Sequence, residues 1–273
     1  MAHLKIYFIN FLREILLKKN IYVGRCPNEV DLRHFFSMIN PVSTDKKLIR
    51  IGDHADGGYL IPDDLEGIET CFSPGVSLEA SFEFELASRK IKSFLADYSV
   101  DSPPVSHELF DFEKKYLGVE NNQIYMTLES WMNNKAPNCR ESILQMDIEG
   151  AEYSVIYQTP IDVLKKFRIM VIEFHGLNNI FSPGGYDLIY LTFKKILSEY
   201  EIIHMHPNNV WAPISNGLYE VPPLIEFTFL RKNRIKLMTP CRTFPNILDV
   251  KNVVSKPDFV LPVCWRGNIN KIR

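Results

Sequence analysis

The chain is short of several features that would announce a function. Its 273 residues include five cysteines, Cys26, Cys71, Cys139, Cys241 and Cys264, an odd and widely spaced set without a C-x-x-C pair. Neither a disulfide framework nor a zinc cluster is indicated, and a reducing cytoplasm fits that usage. The thirteen glycines form no G-x-G-x-x-G, so a dinucleotide fingerprint is missing. The net charge is only −2. A broad basic face for a polyanion is therefore missing too, and nucleic acid is excluded as a partner. No apolar run reaches the roughly 20 residues that a membrane span needs. Repeats, low-complexity tracts and flexible linkers are lacking as well.

What the chain does have is apolar content. At 46% hydrophobic residues it can bury one large core or two small ones. The stretch Leu4 to Leu17 is strongly apolar but carries Lys5, Arg13 and Glu14, and no small-residue cleavage site follows it. Leu4, Phe8, Phe11 and Ile15 recur at helical spacing. Residues 1–20 hold four basic side chains against Glu14 alone. A helix packed on the domain, or on a second copy in a homo-oligomer, is the favoured reading. A helix lying on an anionic membrane through residues 4–17, peripheral to the inner membrane, is the alternative.

Residues 28–40 read as a second helix with Val30, Phe35 and Ile39 as core contacts, ended by Pro41. Alternation follows. Strand-like runs occur at 69–72, 91–96, 142–146, 168–174 and 201–205, with helical patterns at 78–89, 153–166 and 186–200. Such β-α-β alternation predicts an α/β fold with a mainly parallel sheet covered on both faces. A further strand at 224–232 is expected to return antiparallel to the run at 201–205. Ligands in such sheets lie outside the carboxyl ends of the strands. The polar residues collect there: Gly75 after the first strand, Asp97 after the second, then Asp147, then Glu173 and His175, then His204 and His206.

Residues 143–153, Ile-Leu-Gln-Met-Asp-Ile-Glu-Gly-Ala-Glu-Tyr, are the most informative stretch. An apolar strand stops at Asp147, Glu149 and Glu152, wrapped around Gly150. Burying a lone carboxylate is costly, so carboxylates crowded at a strand end face a cleft, a cation or a ligand. The turn at Gly75 lets backbone approach a ligand at a helix start. Asp97 follows it by 22 residues, the length of a strand-helix-strand unit, and an acidic group there can accept both ribose hydroxyls of an adenosine ligand. Period-two geometry puts Glu173 and His175 on one strand face, where a histidine can accept a proton near neutral pH. His204 and His206 repeat that geometry one strand further on, as substrate contacts or as metal ligands with the nearby carboxylates.

The string Asp147-Ile-Glu-Gly-Ala-Glu-Tyr resembles the signature of the FkbM-type S-adenosylmethionine-dependent methyltransferases. So do Ser81-Phe82-Glu83 after the glycine turn, Asp56-Gly57-Gly58-Tyr59 preceded by Arg50-x-Gly, and Glu173-x-His175. The resemblance covers roughly residues 48–178, and the glycine turn departs from it with Phe72-Ser-Pro-Gly. It implies a Rossmann-like class I methyltransferase fold, with seven mostly parallel strands and an antiparallel last strand. It implies S-adenosylmethionine as cofactor, bound by Asp56, Gly57, Gly58, Tyr59, Ser73, Gly75, Glu83, Asp97 and Asp147. It also implies O-methylation of a sugar or glycan hydroxyl, or of a small molecule's. His175 is the expected base, with Glu173 or Asp147 orienting it, and Glu149, Glu152, His204 and His206 are expected at the substrate. No resident metal is expected, the alternative being Mg²⁺ on Asp147 and its neighbours. The domain division is 1–45 helical extension, 46–235 methyltransferase domain and 236–273 a C-terminal extension packed on it. Two other readings compete. Asp147-x-Glu149 can serve as the metal motif of a nucleotide-sugar glycosyltransferase, or the fold can be kept as a non-catalytic binding module.

Overall fold

The computed structural model of the chain describes residues 2–267. Seven strands form the central sheet: β1 (Thr70–Pro74), β2 (Lys92–Ala96), β3 (Phe110–Glu113), β4 (Ser142–Met146), β5 (Phe167–Phe174), β6 (Tyr200–Pro207) and β7 (Ile225–Arg231). Their order across the sheet is β6-β7-β5-β4-β1-β2-β3. The pairs from β5 to β3 are parallel. β7 is inserted antiparallel between β5 and β6. This is a Rossmann-like arrangement in which the switch point falls between β1 and β4. The chain leaves β1 towards β2 and β3, then crosses back to β4 on the other side.

Every residue of β4, β5 and β7 is buried, as expected of strands covered on both faces. Alternation divides their side chains between two cores. Phe72, Leu144, Met146, Met170, Ile172, Phe174 and Phe227 join the larger core. Cys71, Ile143, Ile169 and Val171 join the smaller one. The larger core is closed by α2 (Glu29–Met38), α4 (Leu128–Lys135), α5 (Glu152–Gln158) and α7 (Pro183–Glu199). The smaller is closed by α3 (Ser81–Ser88) and by a hairpin pairing Leu48–Ile51 with Tyr59–Pro62.

Helix boundaries depart from the sequence reading where backbone chemistry intervenes. The helix expected over 78–89 starts only at Ser81, because the turn after β1 runs on to Ala80, whose φ of −146° is not helical. The helix expected over 153–166 is split into α5 and a single turn, α6 (Ile161–Leu164), by Pro160, which has no N–H to continue the ladder. The unassigned stretch 99–126 contributes β3 and a short pairing of Tyr116–Leu117 with Tyr125–Met126.

The two ends of the chain behave differently. The C-terminal segment returns along the domain: Met238–Pro240 pairs with Val42–Thr44, and Trp265 is buried against Phe35 and Phe36 with its Nε1 donating to Glu220 O at 3.0 Å. The last residues of the expected extension, 268–273, lie outside the described residues. At the other end the described residues of α1 (Ala2–Leu17) do not pack on the domain, one of the two covers that the favoured reading offered. Among the described residues from Ile6 to Cys26 only Arg13 and Leu16 are even partly buried. The side chains of Leu4 and Phe8 lie outside the described residues. α2, by contrast, packs on the larger core, with Phe35 against Phe193.

Candidate active site

Period-two alternation carries the smaller core's face towards the carboxyl ends of the strands, where its apolar residues give way to Ser73, Gln145 and Glu173. All three are buried. Glu83 of the helix Ser81–Ser88 and Tyr59 of the hairpin complete a polar floor there. Ser73 Oγ reaches both Glu83 Oε1 and Gln145 Oε1 (2.6 Å to the latter), and Gln145 Nε2 donates to Tyr59 Oη at 3.3 Å. One serine hydroxyl has a single proton for two acceptors. Burial pushes the Glu83 carboxyl up to about 7, and a protonated Glu83 can donate to Ser73, which then donates to Gln145. Glu173 Oε1 accepts from Asn208 Nδ2 at 2.8 Å. Burial, followed by the charges of Asp147 and Glu226, holds its carboxyl well above the usual range.

Above this floor opens a cavity of about 700 Å³ at the ends of β1, β2 and β4. Its size lies within the roughly 300–1,000 Å³ of small-molecule sites. Gly75 makes the arrangement possible. Its φ is +91°, and a Cβ there would lie 1.6 Å from Asp147 O, so only glycine lets the β1 turn cross the end of β4. Asp97 faces the cavity from the end of β2, and its Oδ2 accepts from Ser77 N at 2.9 Å while Oδ1 accepts from Ser99 N and Oγ, both at 2.7 Å. Leu78, Leu117, Tyr116 and Ile148 supply an apolar side. Six carboxylates line the space: Asp56, Glu79, Glu83, Asp97, Asp147 and Glu149. No lysine, arginine or histidine lines it among the described residues.

The acidic turn after β4 meets the end of β5 at one rim. Glu152, the first residue of α5, is fully buried, and its Oε1 accepts from Ile148 N and Gly150 N, each at 3.1 Å. His175 Nδ1 lies 3.1 Å from the same oxygen. His175 Nε2 faces outward, 3.7 Å from Asp147 Oδ1 and 3.4 Å from Glu149 Oε2. Glu149 is held at φ +55°, an uncommon region for a non-glycine residue, and its side chain is 88% exposed. Burial opposes charge on His175. The Glu152 hydrogen bond and the surrounding carboxylates outweigh that and raise its pKa above 6.5. Burial raises the Asp147 carboxyl to about 7; His175 counters this and the charges of Glu149 and Glu152 add to it. Asp147 Oδ1 is buried without a hydrogen-bond partner. One ligand atom from each of Asp147, Glu149 and His175 lies within 4.8 Å of the others, close enough to share one cation.

Of the residues expected at the site, Asp56, Gly57, Tyr59, Gly75, Glu83, Asp97, Asp147 and Glu149 line the cavity. Glu152 and His175 stand together at its rim. Glu173 is beneath it. Gly58 and Ser73 are not part of its wall: a Cβ on Gly58 would lie 2.0 Å from Asp53 O, so that glycine closes the hairpin loop, and Ser73 is buried in the floor. His204 and His206 are not brought to the cavity either, because the C-terminal segment captures them. His204 Nε2 is 2.8 Å from Asp249 Oδ1, a close contact without hydrogen-bond alignment. His206 is flanked by Glu226 at 3.6 Å and Asp258 at 3.5 Å. Sequence reasoning missed Gln145, whose polarity inside an apolar strand was the available signal. It also missed Tyr116, Leu117 and Asn208, which carry no local signal.

No curated protein matches this chain. Residues 75–200, from the glycine turn to the first residue of β6, match the methyltransferase FkbM domain. That span includes Asp97, the acidic turn at 147–152 and His175. Over that span the chain is similar to the methyltransferase FkbM domain.

Proposed function

We propose that the cavity binds S-adenosylmethionine and that the protein methylates a hydroxyl group of a sugar or glycan. The observation that carries the cofactor is the acidic lining without a cationic side chain; with Glu83 protonated in the floor, five other carboxyl groups still line the space. Such a site favours a ligand that brings positive charge, as a sulfonium and an ammonium group do, and disfavours a nucleoside diphosphate. The residues fit the group. The Gly75 turn brings backbone close, Asp97 Oδ2 keeps a lone pair for a ribose hydroxyl, and Leu78, Leu117 and Ile148 suit an adenine ring. Asp147 Oδ1, buried and unpartnered, is suited to a cationic donor. When bound, the cofactor supplies an electrophilic methyl group on a positively charged sulfur.

The protein's own residues then have to align an acceptor oxygen and remove its proton. Alignment by itself can lower a barrier by roughly 7–11 kcal/mol. His175 is the proposed base: the buried Glu152 fixes its ring through Nδ1, leaving Nε2 directed at the rim. The carboxylates that raise its pKa stabilise the imidazolium formed when it takes the proton, a step worth about 10²–10⁴-fold. The exposed Glu149 can accept hydrogen bonds from acceptor hydroxyls. The choice of a sugar as acceptor rests on the FkbM resemblance. One observation favours a second reading of the same rim: the Asp147, Glu149 and His175 atoms could hold a divalent cation that lowers the acceptor's pKa instead.

Calorimetry with S-adenosylhomocysteine and, separately, UDP-glucose tests the cofactor assignment. Binding of the first and not the second is expected. Binding of UDP-glucose alone would overturn the proposal and favour glycosyl transfer.

A further inference from the structure

Among the described residues, the N-terminal helix is an apolar element with nothing of its own domain against it. Ile6, Tyr7, Ile9, Phe11, Leu12, Ile15 and Leu17 are all exposed, from 37% for Ile9 to 74% for Tyr7. None of the described residues of this segment belongs to any of the three hydrophobic cores. At 100° per residue these positions are spread around the whole circumference rather than along one stripe. Residues 18–23 fold back on the helix, with Ile21 N donating to Leu16 O at 2.9 Å and Arg13 Nε to Val23 O at 3.1 Å. That return adds exposed Ile21, Tyr22 and Val23 beside exposed Lys18, Lys19 and Arg25.

An isolated helix of 16 residues is marginal in water, so its apolar surface calls for a cover. A single helix of a second copy would cover one stripe of about 100° and leave the rest wet. A lipid phase covers a helix on every side it enters. Length excludes a crossing: at 1.5 Å per residue the helix is about 24 Å long against a hydrocarbon core of ~30 Å, and no helix among the described residues is long and apolar enough to cross a membrane. Charge supplies the other half of the argument. Residues 1–25 hold five basic side chains against one acidic one, in a chain whose net charge is −2. We infer that α1 and the turn after it insert into the surface of an anionic membrane. In that arrangement Lys18, Lys19 and Arg25 lie at the headgroups, Tyr7 and Tyr22 at the interface, and the catalytic domain is tethered outside.

The test is co-sedimentation of the full chain with phosphatidylcholine vesicles, with and without phosphatidylglycerol. The protein is expected to pellet with the anionic vesicles and much less with the neutral ones. Lys18→Gln/Lys19→Gln should weaken partitioning about 30-fold, at ~1 kcal/mol per basic residue near an anionic surface. Phe11→Asp/Ile15→Asp should abolish it with an unchanged Tm, since both side chains are exposed. Wild-type protein that stays in the supernatant with both vesicles would overturn the inference. If it also sediments as a dimer that Phe11→Asp/Ile15→Asp makes monomeric, the helix belongs to a second copy. Equal binding to both vesicle types would overturn the anionic assignment. None of these outcomes depends on what the cavity binds.

Discussion

Replacing Glu152 by glutamine isolates the contact on which His175 depends. The carboxylate is fully buried and lies 3.1 Å from His175 Nδ1. Against burial, which lowers the His175 pKa, the Glu152 hydrogen bond and charge are the main influences that raise it, so Glu152→Gln should lower that pKa. The isostere keeps an oxygen for Ile148 N and Gly150 N. Its NH₂ then falls where Oε2 was, a buried position with no partner. That should cost about 1–3 kcal/mol of stability. The sign of the pH dependence follows from the raised pKa. The stabilisation from protonated His175 is fully present below about pH 6.5 and is lost as pH rises through the folded-state value. The stability gap between wild type and variant should therefore narrow on going from pH 6 to alkaline pH. The assay is histidine ring Cε1–H NMR between pH 5 and 9, with the signal assigned by its disappearance in His175→Ala. A wild-type signal titrating at or below 6.5, or one that does not move in folded Glu152→Gln, would refute the proposed pairing.

Other consequences are as direct. Asp97→Ala should weaken S-adenosylhomocysteine binding by about 1.5–3 kcal/mol, the worth of hydrogen bonds to a charged group, read by calorimetry on folded protein. If His175 is the base, His175→Ala should slow the chemical step at least ~10²-fold with little change in cofactor affinity, and activity should survive EDTA. EDTA-sensitive turnover restored by Mg²⁺, with His175→Ala still active, would assign the rim to a metal instead. Burial opposes charge on His206, but Asp258 and Glu226 outweigh it and raise its pKa to about 10. Its contribution to stability is therefore full below about pH 6.5 and lost as pH rises through 10. Removing it as His206→Gln should cost about 3–5 kcal/mol at pH 7, because two acidic partners are left behind. Thermal melts at pH 7 and 10 should show that difference shrinking.

The sequence by itself determined the sheet and the ends at which its chemistry is placed. Period-two alternation in 143–146 and 169–174 assigns side chains to two faces, and that pattern needs only local backbone geometry. The same is true of Gly75, whose turn joins adjacent elements, and of the carboxylates that halt the strand at 147–152. Tertiary structure decided which of these groups meet. Glu152 and His175 are 23 positions apart and touch only because β4 and β5 lie parallel and side by side. Glu173 and His175, neighbours on paper, part at the strand end, one going under the cavity to Asn208 and the other to the rim. His204 and His206 have the spacing of a ligand pair, yet acidic residues more than 40 positions away in the C-terminal segment, with Glu226 of β7, take both. Tyr116 and Leu117 come from a stretch without local pattern. The helical spacing along α1 was legible too, but whether it had a partner was not, since only the tertiary structure shows that its described residues reach none of the cores.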